Sequence, residues 1–526
     1  MNINFLVIYL KAPQIYTMLE SLTFTANYFY MTMKHIITTL FLVGTLISIS
    51  FAQTKPVHKA VIKAVTEPST TNISLTLKPY KKTWIYIGSY YGKGKTLVDS
   101  VFLNDESKGV FKPAKKYTPG IYFVVSPKYV ILFEFLMDDK QHFSMEADTL
   151  KKEEAVIKGS LDNDLFKAYS QFSVEKGKLL TDLGDKFKAA TNKADSAKYR
   201  ALVIKENKAL ETYRDSITKK NPGTLLSALL NAMKQPDYPA VPVVNGKADS
   251  LYPYHFVKDH FFDDVEFNDD RLLRTPFFEN KIDNYFKTLI VNDADSIFNE
   301  VNYMLLYART GKEMYPYLLT KFTNKYINPE IMGQDKVFIK IYENFYAKGD
   351  TTFLNAASRK TITERYYQMV ANLVGNPAPA LDLTDSTGTN ISLYNLKGKF
   401  TFVVFWDPTC GHCKAELPRI DSIYKARWKS LGVKIYSVNV STAANTDDEL
   451  KKFIREKSLD HDWIFTRQSK EAREAEQAAG LPNYRQLYDV YKTPTMYLLD
   501  DKKRIIAKQL SIEQFNDIMS AKLKVK

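Results

Sequence analysis

Phe402-Val403-Val404-Phe405-Trp406-Asp407-Pro408-Thr409-Cys410-Gly411-His412-Cys413 sets an uninterrupted apolar run directly ahead of a cysteine pair. A short apolar run of this kind reads as a strand buried on both faces. The amphipathic stretch after it reads as a helix whose first turn carries the dithiol. Cys410 and Cys413 are the only cysteines among 526 residues. A helix N-terminus offers unpaired N–H groups and the positive end of the dipole, which favour a thiolate. Cys410 is therefore the candidate nucleophile near neutral pH. Cys413, one turn further on, is placed to attack a mixed disulfide and release the product.

Other chemistries fit this spacing less well. Two purely structural buried thiols rarely fall at CxxC spacing after a strand. A zinc site needs about four ligands; there is no second CxxC, and the seven histidines are scattered. A peroxidatic cysteine calls for a threonine three residues before it and a proline seven before, where this chain has Asp407 and Val403. No metal and no cofactor is expected beyond a redox-active Cys410–Cys413 disulfide.

Lys34-His35, the apolar run from Ile36 to Ile49 and the small-x-small triplet Ser50-Phe51-Ala52 form a secretory signal peptide pattern. Translation is expected to start at Met31 or Met33, with cleavage near Ala52. A transmembrane anchor fits less well, because the run is short and ends in a processing signal. No cysteine follows it for lipid attachment. The expected location is the periplasm, with no stable membrane span in the mature protein. An exported chain held by structural disulfides would carry many cysteines; this one has a single pair, placed to be made and broken.

The net charge of +14 and pI near 9.2 raise nucleic acid as a partner. The lysines, however, are spread along the chain and mixed with acids, as in Lys151-Lys152-Glu153-Glu154, which describes a solvated basic surface. No nucleic-acid partner is expected. About 470 exported residues exceed one core and imply roughly three domains.

After residues 1–52, upstream sequence and signal peptide, and a polar linker, residues 72–160 read as short strands punctuated by Pro119-Gly120 and Ser126-Pro127, an antiparallel β-sandwich or small barrel. From Leu161 the period turns helical. Leu165, Tyr169, Phe172, Leu179, Leu183 and Phe187 form one stripe, and a second runs to Ile217 before Asn221-Pro222-Gly223. Residues 161–372 are read as an α-helical domain with no chemical motif. Residues 375–526 follow the order β-α-β-α-β-β-α: a hairpin-like lead-in from Asp382 to Leu396, strand Phe400–Trp406, the Cys410 helix interrupted by Pro418, strand Val433–Val440, a helix to Lys457, a long charged helical stretch, strand Met496–Leu499, edge strand Arg504–Leu510 and a last helix.

This order, with CxxC after a strand and Thr493-Pro494-Thr495 just before a later one, resembles the α/β thioredoxin fold. Phe405-Trp406, the cysteine pair, Pro418, Ala380-Leu381-Asp382-Leu383 and Leu396-Lys397-Gly398-Lys399 make residues 375–526 similar to a TlpA/ResA-like disulfide reductase. The preceding β and helical regions resemble modules of unknown function in Gram-negative envelope proteins. The resemblance implies Cys410 as attacking and Cys413 as resolving thiol. It also implies Pro494 as a cis-proline shaping a substrate groove, with Trp406 and Thr493 beside it. Classical thioredoxins carry an aspartate six residues before the first cysteine; Val404 stands there. Glu416, three residues after Cys413, matches the acid of TlpA/ResA-like proteins and is the substitute proton acceptor. His412, when protonated, favours the Cys410 thiolate, and the Gly-His pair resembles that of protein disulfide isomerases.

The expected activity is that of an exported thiol–disulfide oxidoreductase that reduces or isomerises disulfides. Its partners would be cysteine-containing envelope proteins and an upstream thiol electron donor. The alternative is an envelope binding or scaffold protein whose thioredoxin-like domain does not turn over.

Overall fold

The computed structural model describes residues 71–524 except 152–154, 238 and 444–445. The signal-peptide pattern at 31–52 lies outside the described residues. Among those described, no helix is long and apolar enough to cross a membrane. The chain divides into two compact units, Met1–Leu289 and Ile290–Lys526.

The first unit opens with eight strands: β1 (Asn72–Lys78), β2 (Thr83–Tyr91), β3 (Gly94–Leu103), β4 (Lys108–Phe111), β5 (Gly120–Val125), β6 (Ile131–Met137), β7 (His142–Asp148) and β8 (Val156–Lys158). They form two four-stranded sheets, ordered β4-β1-β7-β8 and β3-β2-β5-β6. Ile73, Leu75 and Leu77 alternate inward on β1, and Ile85 and Ile87 on β2, so both sheets share one apolar core with Phe111, Tyr122, Phe135 and Met145. Their pairings are antiparallel except β1–β7, which is parallel along the whole of β1. Helices α1 (Leu161–Ala189) and α2 (Lys193–Lys220) follow as a hairpin. Ser160 and Asn192 cap them by accepting from the N–H groups of Asn163 and Asp195. The unit continues through α3 (Leu225–Ala232), the two-residue strands β9 (Val243–Val244) and β10 (Lys247–Ala248), α4 (Tyr252–His260) and α5 (Phe278–Thr288).

The second unit begins with four helices, α6 (Ala294–Ala308), α7 (Met314–Tyr326), α8 (Asp335–Asn344) and α9 (Ala356–Ala371). The helical run read from the sequence as one block over 161–372 is thus divided between the units. The physical reason lies in polar contacts that leave no periodic trace in sequence. Buried Lys508 places Nζ 2.6 Å from Asp335 Oδ2 of α8 and 2.5 Å from Asn372 Oδ1, just past α9.

A seven-stranded sheet follows, ordered β12-β11-β15-β14-β13-β16-β17. It comprises β11 (Asp382–Thr384), β12 (Asn390–Ser392), β13 (Phe400–Trp406), β14 (Val433–Asn439), β15 (Ile464–Arg467), β16 (Thr495–Leu499) and β17 (Ile505–Lys508). The helices are α10 (Gly411–Ile423), α11 (Thr446–Lys457), α12 (Lys470–Ala478), α13 (Tyr484–Leu487) and α14 (Ile512–Lys524). All seven residues of β13 are buried. It pairs in parallel with β14 and antiparallel with β16. Phe400, Phe402, Val404 and Trp406 face a core shared with α10, α11 and α14; Val403 and Phe405 face a second core with Tyr436, Tyr488 and Tyr497. The continuous apolar run of β13 is the mark of a strand covered on both sides.

One element departs from the sequence reading. The charged stretch after Lys457 was expected to be helical, yet it holds strand β15 at Ile464–Arg467. Four residues are too few for a pattern; β14 in parallel and β11 at its edge supply the pairing.

Phe402 carries much of the packing, with Trp428 and Phe515 at ring-centroid distances of 5.0 and 5.2 Å. Phe402→Ala is expected to cost about 3–5 kcal/mol. Urea unfolding of the second unit, followed by tryptophan fluorescence, measures it; a loss under about 1 kcal/mol would show that this core is not what holds the sheet.

Candidate active site

Strand β13 ends at Trp406, and four residues bring the chain to α10. Asp407 organises that turn. Its Oδ1 accepts from the N–H of Thr409 at 2.7 Å and from its hydroxyl at 2.6 Å, and its carbonyl accepts from the Cys410 N–H at 3.1 Å. Asp-x-Thr is ordinary Asx-turn chemistry, so the signal was present in the sequence although Asp407 was not singled out.

Cys410 occupies the N-cap of α10, and Cys413 lies within its first turn. Both are free thiols, Cys410 partly exposed and Cys413 buried. The two sit in opposite electrostatic settings. Burial alone would push the Cys410 thiol up; polar groups of the Thr493 side chain, of Cys413 and of the His412 backbone outweigh it and hold the thiol below its ordinary value. The sulfur makes no cap hydrogen bond by strict geometry. The N–H groups of the first turn lie close to that sulfur, and a large, polarisable thiolate is stabilised by such donors beyond ideal hydrogen-bond range. Burial pushes the Cys413 thiol up to about 12, and neighbouring Cys410 adds to this, against weaker hydrogen bonds from the Asp407 backbone and Thr493.

The Thr493–Pro494 peptide is cis, and both residues are partly exposed. The Thr493 carbonyl oxygen lies 3.7 Å from Cys410 Sγ. Val404, in the position of the classical aspartate, is fully buried in the same core as Cys413.

His412 is exposed, and its backbone is among the groups that lower the Cys410 thiol. Trp406 requires a correction. It was expected to touch substrate, but it is fully buried, donates from Nε1 to Ser437 Oγ at 2.6 Å and packs on Phe453 at 5.3 Å between ring centroids. It holds the end of β13 beneath the dithiol turn. Glu416 is one turn beyond Cys413 and 30% exposed, with Oε1 accepting from Arg419 Nη1 at 2.6 Å; Arg419 Nη2 also reaches Glu513 Oε1 at 2.5 Å.

An accessible thiol poised to ionise, with a buried thiol one turn behind it, is an arrangement for sequential thiol–disulfide exchange. Residues 374–508 match the AhpC/TSA family. The C-terminal domain is an AhpC/TSA-type, thioredoxin-like domain. Residues 204–372 match a domain of unknown function, DUF5106. The thiol-disulfide oxidoreductase ResA of Bacillus cereus is 26% identical over 172 residues, 32% of this chain and 89% of that protein. Among solved structures, a thioredoxin-like protein from Bacteroides caccae is 18% identical with a TM-score of 0.42, covering 55% of this chain and 98% of its own. A domain of a possible thiol-disulfide isomerase from Cytophaga hutchinsonii is 35% identical over 29% of this chain and 97% of its own, with a TM-score of 0.25. The thioredoxin-like domain thus has thiol-disulfide oxidoreductases as homologues.

Two outcomes follow for this domain. Iodoacetamide should modify Cys410 alone between about pH 6 and 9, at a rate that rises with pH and levels off once that thiol is ionised, because Cys413 stays protonated until far higher pH. Peptide mapping that finds Cys413 modified first would reverse the roles. Separately, His412→Ala should leave the thiolate titration of Cys410 nearly unchanged, whereas His412→Pro, which removes the amide hydrogen, should raise the thiol and make the disulfide harder to reduce. An equal effect of both variants on thiolate absorbance would return the role to the imidazole.

Proposed function

We propose that this chain is an exported thiol–disulfide oxidoreductase that reduces or isomerises disulfides of cysteine-containing envelope proteins. The observation that carries the reading is the unequal pair: Cys410 partly exposed with its thiol lowered, Cys413 buried with its thiol raised. The homology of the thioredoxin-like domain to thiol-disulfide oxidoreductases supports the same chemistry. Export rests on the signal-peptide pattern ending at Ala52.

In this reading the Cys410 thiolate attacks one sulfur of a substrate disulfide, and the other sulfur leaves as a thiolate that takes up a proton. The mixed disulfide brings Cys410 sulfur into reach of Cys413. Cys413 gives up its proton and attacks that sulfur, releasing the second substrate thiol. Two electrons have then passed to the substrate, and the chain holds a Cys410–Cys413 disulfide. An upstream dithiol donor reduces it by the same exchange in reverse. Isomerisation needs only the first attack, followed by return of the substrate's own thiol. Thr493 and Pro494 line the approach to Cys410 and offer backbone to an extended substrate segment. Glu416 is the carboxylate that takes the Cys413 proton, anchored between turns by Arg419.

The test is insulin reduction by the full chain with dithiothreitol as donor. Turnover is expected for the wild type and none for Cys410→Ser, while Cys413→Ser should accumulate mixed disulfides with substrate. A wild-type chain that does not speed insulin reduction would favour a binding protein with a silent thioredoxin-like domain. Glu416→Gln should slow release from Cys410 by about a hundredfold if the carboxylate acts as general base. Undiminished release across about pH 6–8 would leave Glu416 as a helix-surface ion-pair partner only.

A further inference from the structure

The segment that carries Thr493 is gripped from outside the thioredoxin-like domain. Asp489 begins it, with φ of 52°, a left-handed conformation that aspartate and asparagine tolerate better than most residues. Its carboxylate is buried and faces the Arg365 guanidinium of α9 with both oxygens: Arg365 Nη1 donates to Oδ1, and Nη2 to Oδ2 at 2.9 Å. The Arg365 side chain is 12% exposed and is itself fixed by donating from Nε to the Ile327 carbonyl at 3.1 Å. Gln509 Nε2 adds a longer contact to Asp489 Oδ2 at 3.3 Å. Two residues on, Tyr491 is 70% exposed yet held: its hydroxyl donates to Gln368 Oε1 of α9, and the Arg365 guanidinium lies 5.4 Å from its ring centroid. Thr495 Oγ1 closes the far end on the Lys492 carbonyl at 2.6 Å.

We propose that Arg365 is a positioning residue for the dithiol: through Asp489 and Tyr491 it fixes the 489–494 segment, and with it the contact between Thr493 and Cys410. Arg365 lies within the stretch matched by the domain of unknown function, so this gives that stretch a role in the chemistry of its neighbour. The consequence for turnover rests on the oxidoreductase reading above; the effect on the thiol does not. The bidentate fork explains why arginine stands here, since two parallel N–H···O bonds fix orientation as well as distance. The aromatic ring of Tyr491 adds a second grip on the same guanidinium, so α9 holds the segment at two points. The Thr493 side chain, whose hydroxyl can donate to a thiolate, is one of the groups that hold the Cys410 thiol low, whereas its carbonyl can only accept from the protonated thiol; a segment released from α9 loses the side chain's stabilisation.

The experiment compares the full chain with Asp489→Asn, Arg365→Met and the double variant. Asparagine keeps the volume and the tolerance for positive φ, and removes the charge alone. Asp350→Asn is the control: it breaks the Arg309–Asp350 pair among the helices of the same unit, where Arg309 Nη2 sits 3.0 Å from Asp350 Oδ1, without touching the 489–494 segment. The readouts are thiolate absorbance titrated across about pH 5–10 and the iodoacetamide rate at neutral pH. Each single variant is expected to lower the neutral-pH rate about threefold or more, with a matching fall in thiolate fraction, and the double variant no further than the larger single. Arg365→Lys, which keeps the charge without the fork, should fall between wild type and Arg365→Met. Unchanged titration in variants that melt as cooperatively as the wild type overturns the proposal. So does an equal fall in Asp350→Asn, which would mark general loosening. Should Arg365→Met fail to fold, Asp489→Asn and Arg365→Lys decide the matter. An inactive wild type whose thiol still responds to Asp489→Asn would sink the oxidoreductase reading and leave this one standing.

Discussion

Burial of β13 on both faces is the constraint from which the site follows. A strand with Phe402, Val404 and Trp406 on one side and Val403 and Phe405 on the other can only sit at the centre of a covered sheet. The chain therefore emerges from the core at the C-terminal end of β13 with a fixed direction. The Asx turn at Asp407 converts that direction into the start of α10. Cys410 meets the exposed helix end and Cys413 the core because of this path. Trp406 belongs to the same construction, anchored through Ser437 on the neighbouring strand β14.

The chemical difference between two identical side chains comes chiefly from burial and hydrogen bonding, with the charge of Cys410 adding a smaller push on Cys413. Desolvation penalises the thiolate at both positions. At Cys410 it is outweighed by hydrogen-bond donors of the first helical turn and by Thr493; at Cys413 it is not. With Val404 in place of a buried acid, no carboxylate enters beneath the pair from β13. Glu416 stands on the same helix as Cys413, one turn beyond it.

The helices before the thioredoxin-like domain fall into two groups with different attachments. The first group, α1 to α5, belongs to the compact unit of the β-sandwich; the second, α6 to α9, belongs to the unit that contains the dithiol. Lys508 and Arg365 are the buried cations of that second attachment, each facing a carboxylate. Buried ion pairs of this kind lend little net stability but penalise any arrangement that separates the partners. They therefore specify where α8 and α9 sit more than how strongly they are held.

Much of the thioredoxin-like domain was legible in the sequence. The apolar run of β13, the CxxC spacing and the proline before β16 are local signals, produced by strand burial and helix-terminus chemistry within a few residues. The β-sandwich was legible from the same kind of alternation, as at Ile73, Leu75 and Leu77, although the parallel pairing of β1 with β7 was not, since pairing direction leaves no mark on a single strand. Tertiary structure alone decided the rest. Strand β15 exists because β14 and β11 offer it partners. Trp406 is buried because β13 is covered on both faces, and alternation places it in the core shared with α10, α11 and α14. The pairing of Arg365 with Asp489 joins residues 124 positions apart. Such a contact has no period and no motif, because one arginine and one aspartate find each other only after both chain segments have been placed by their cores.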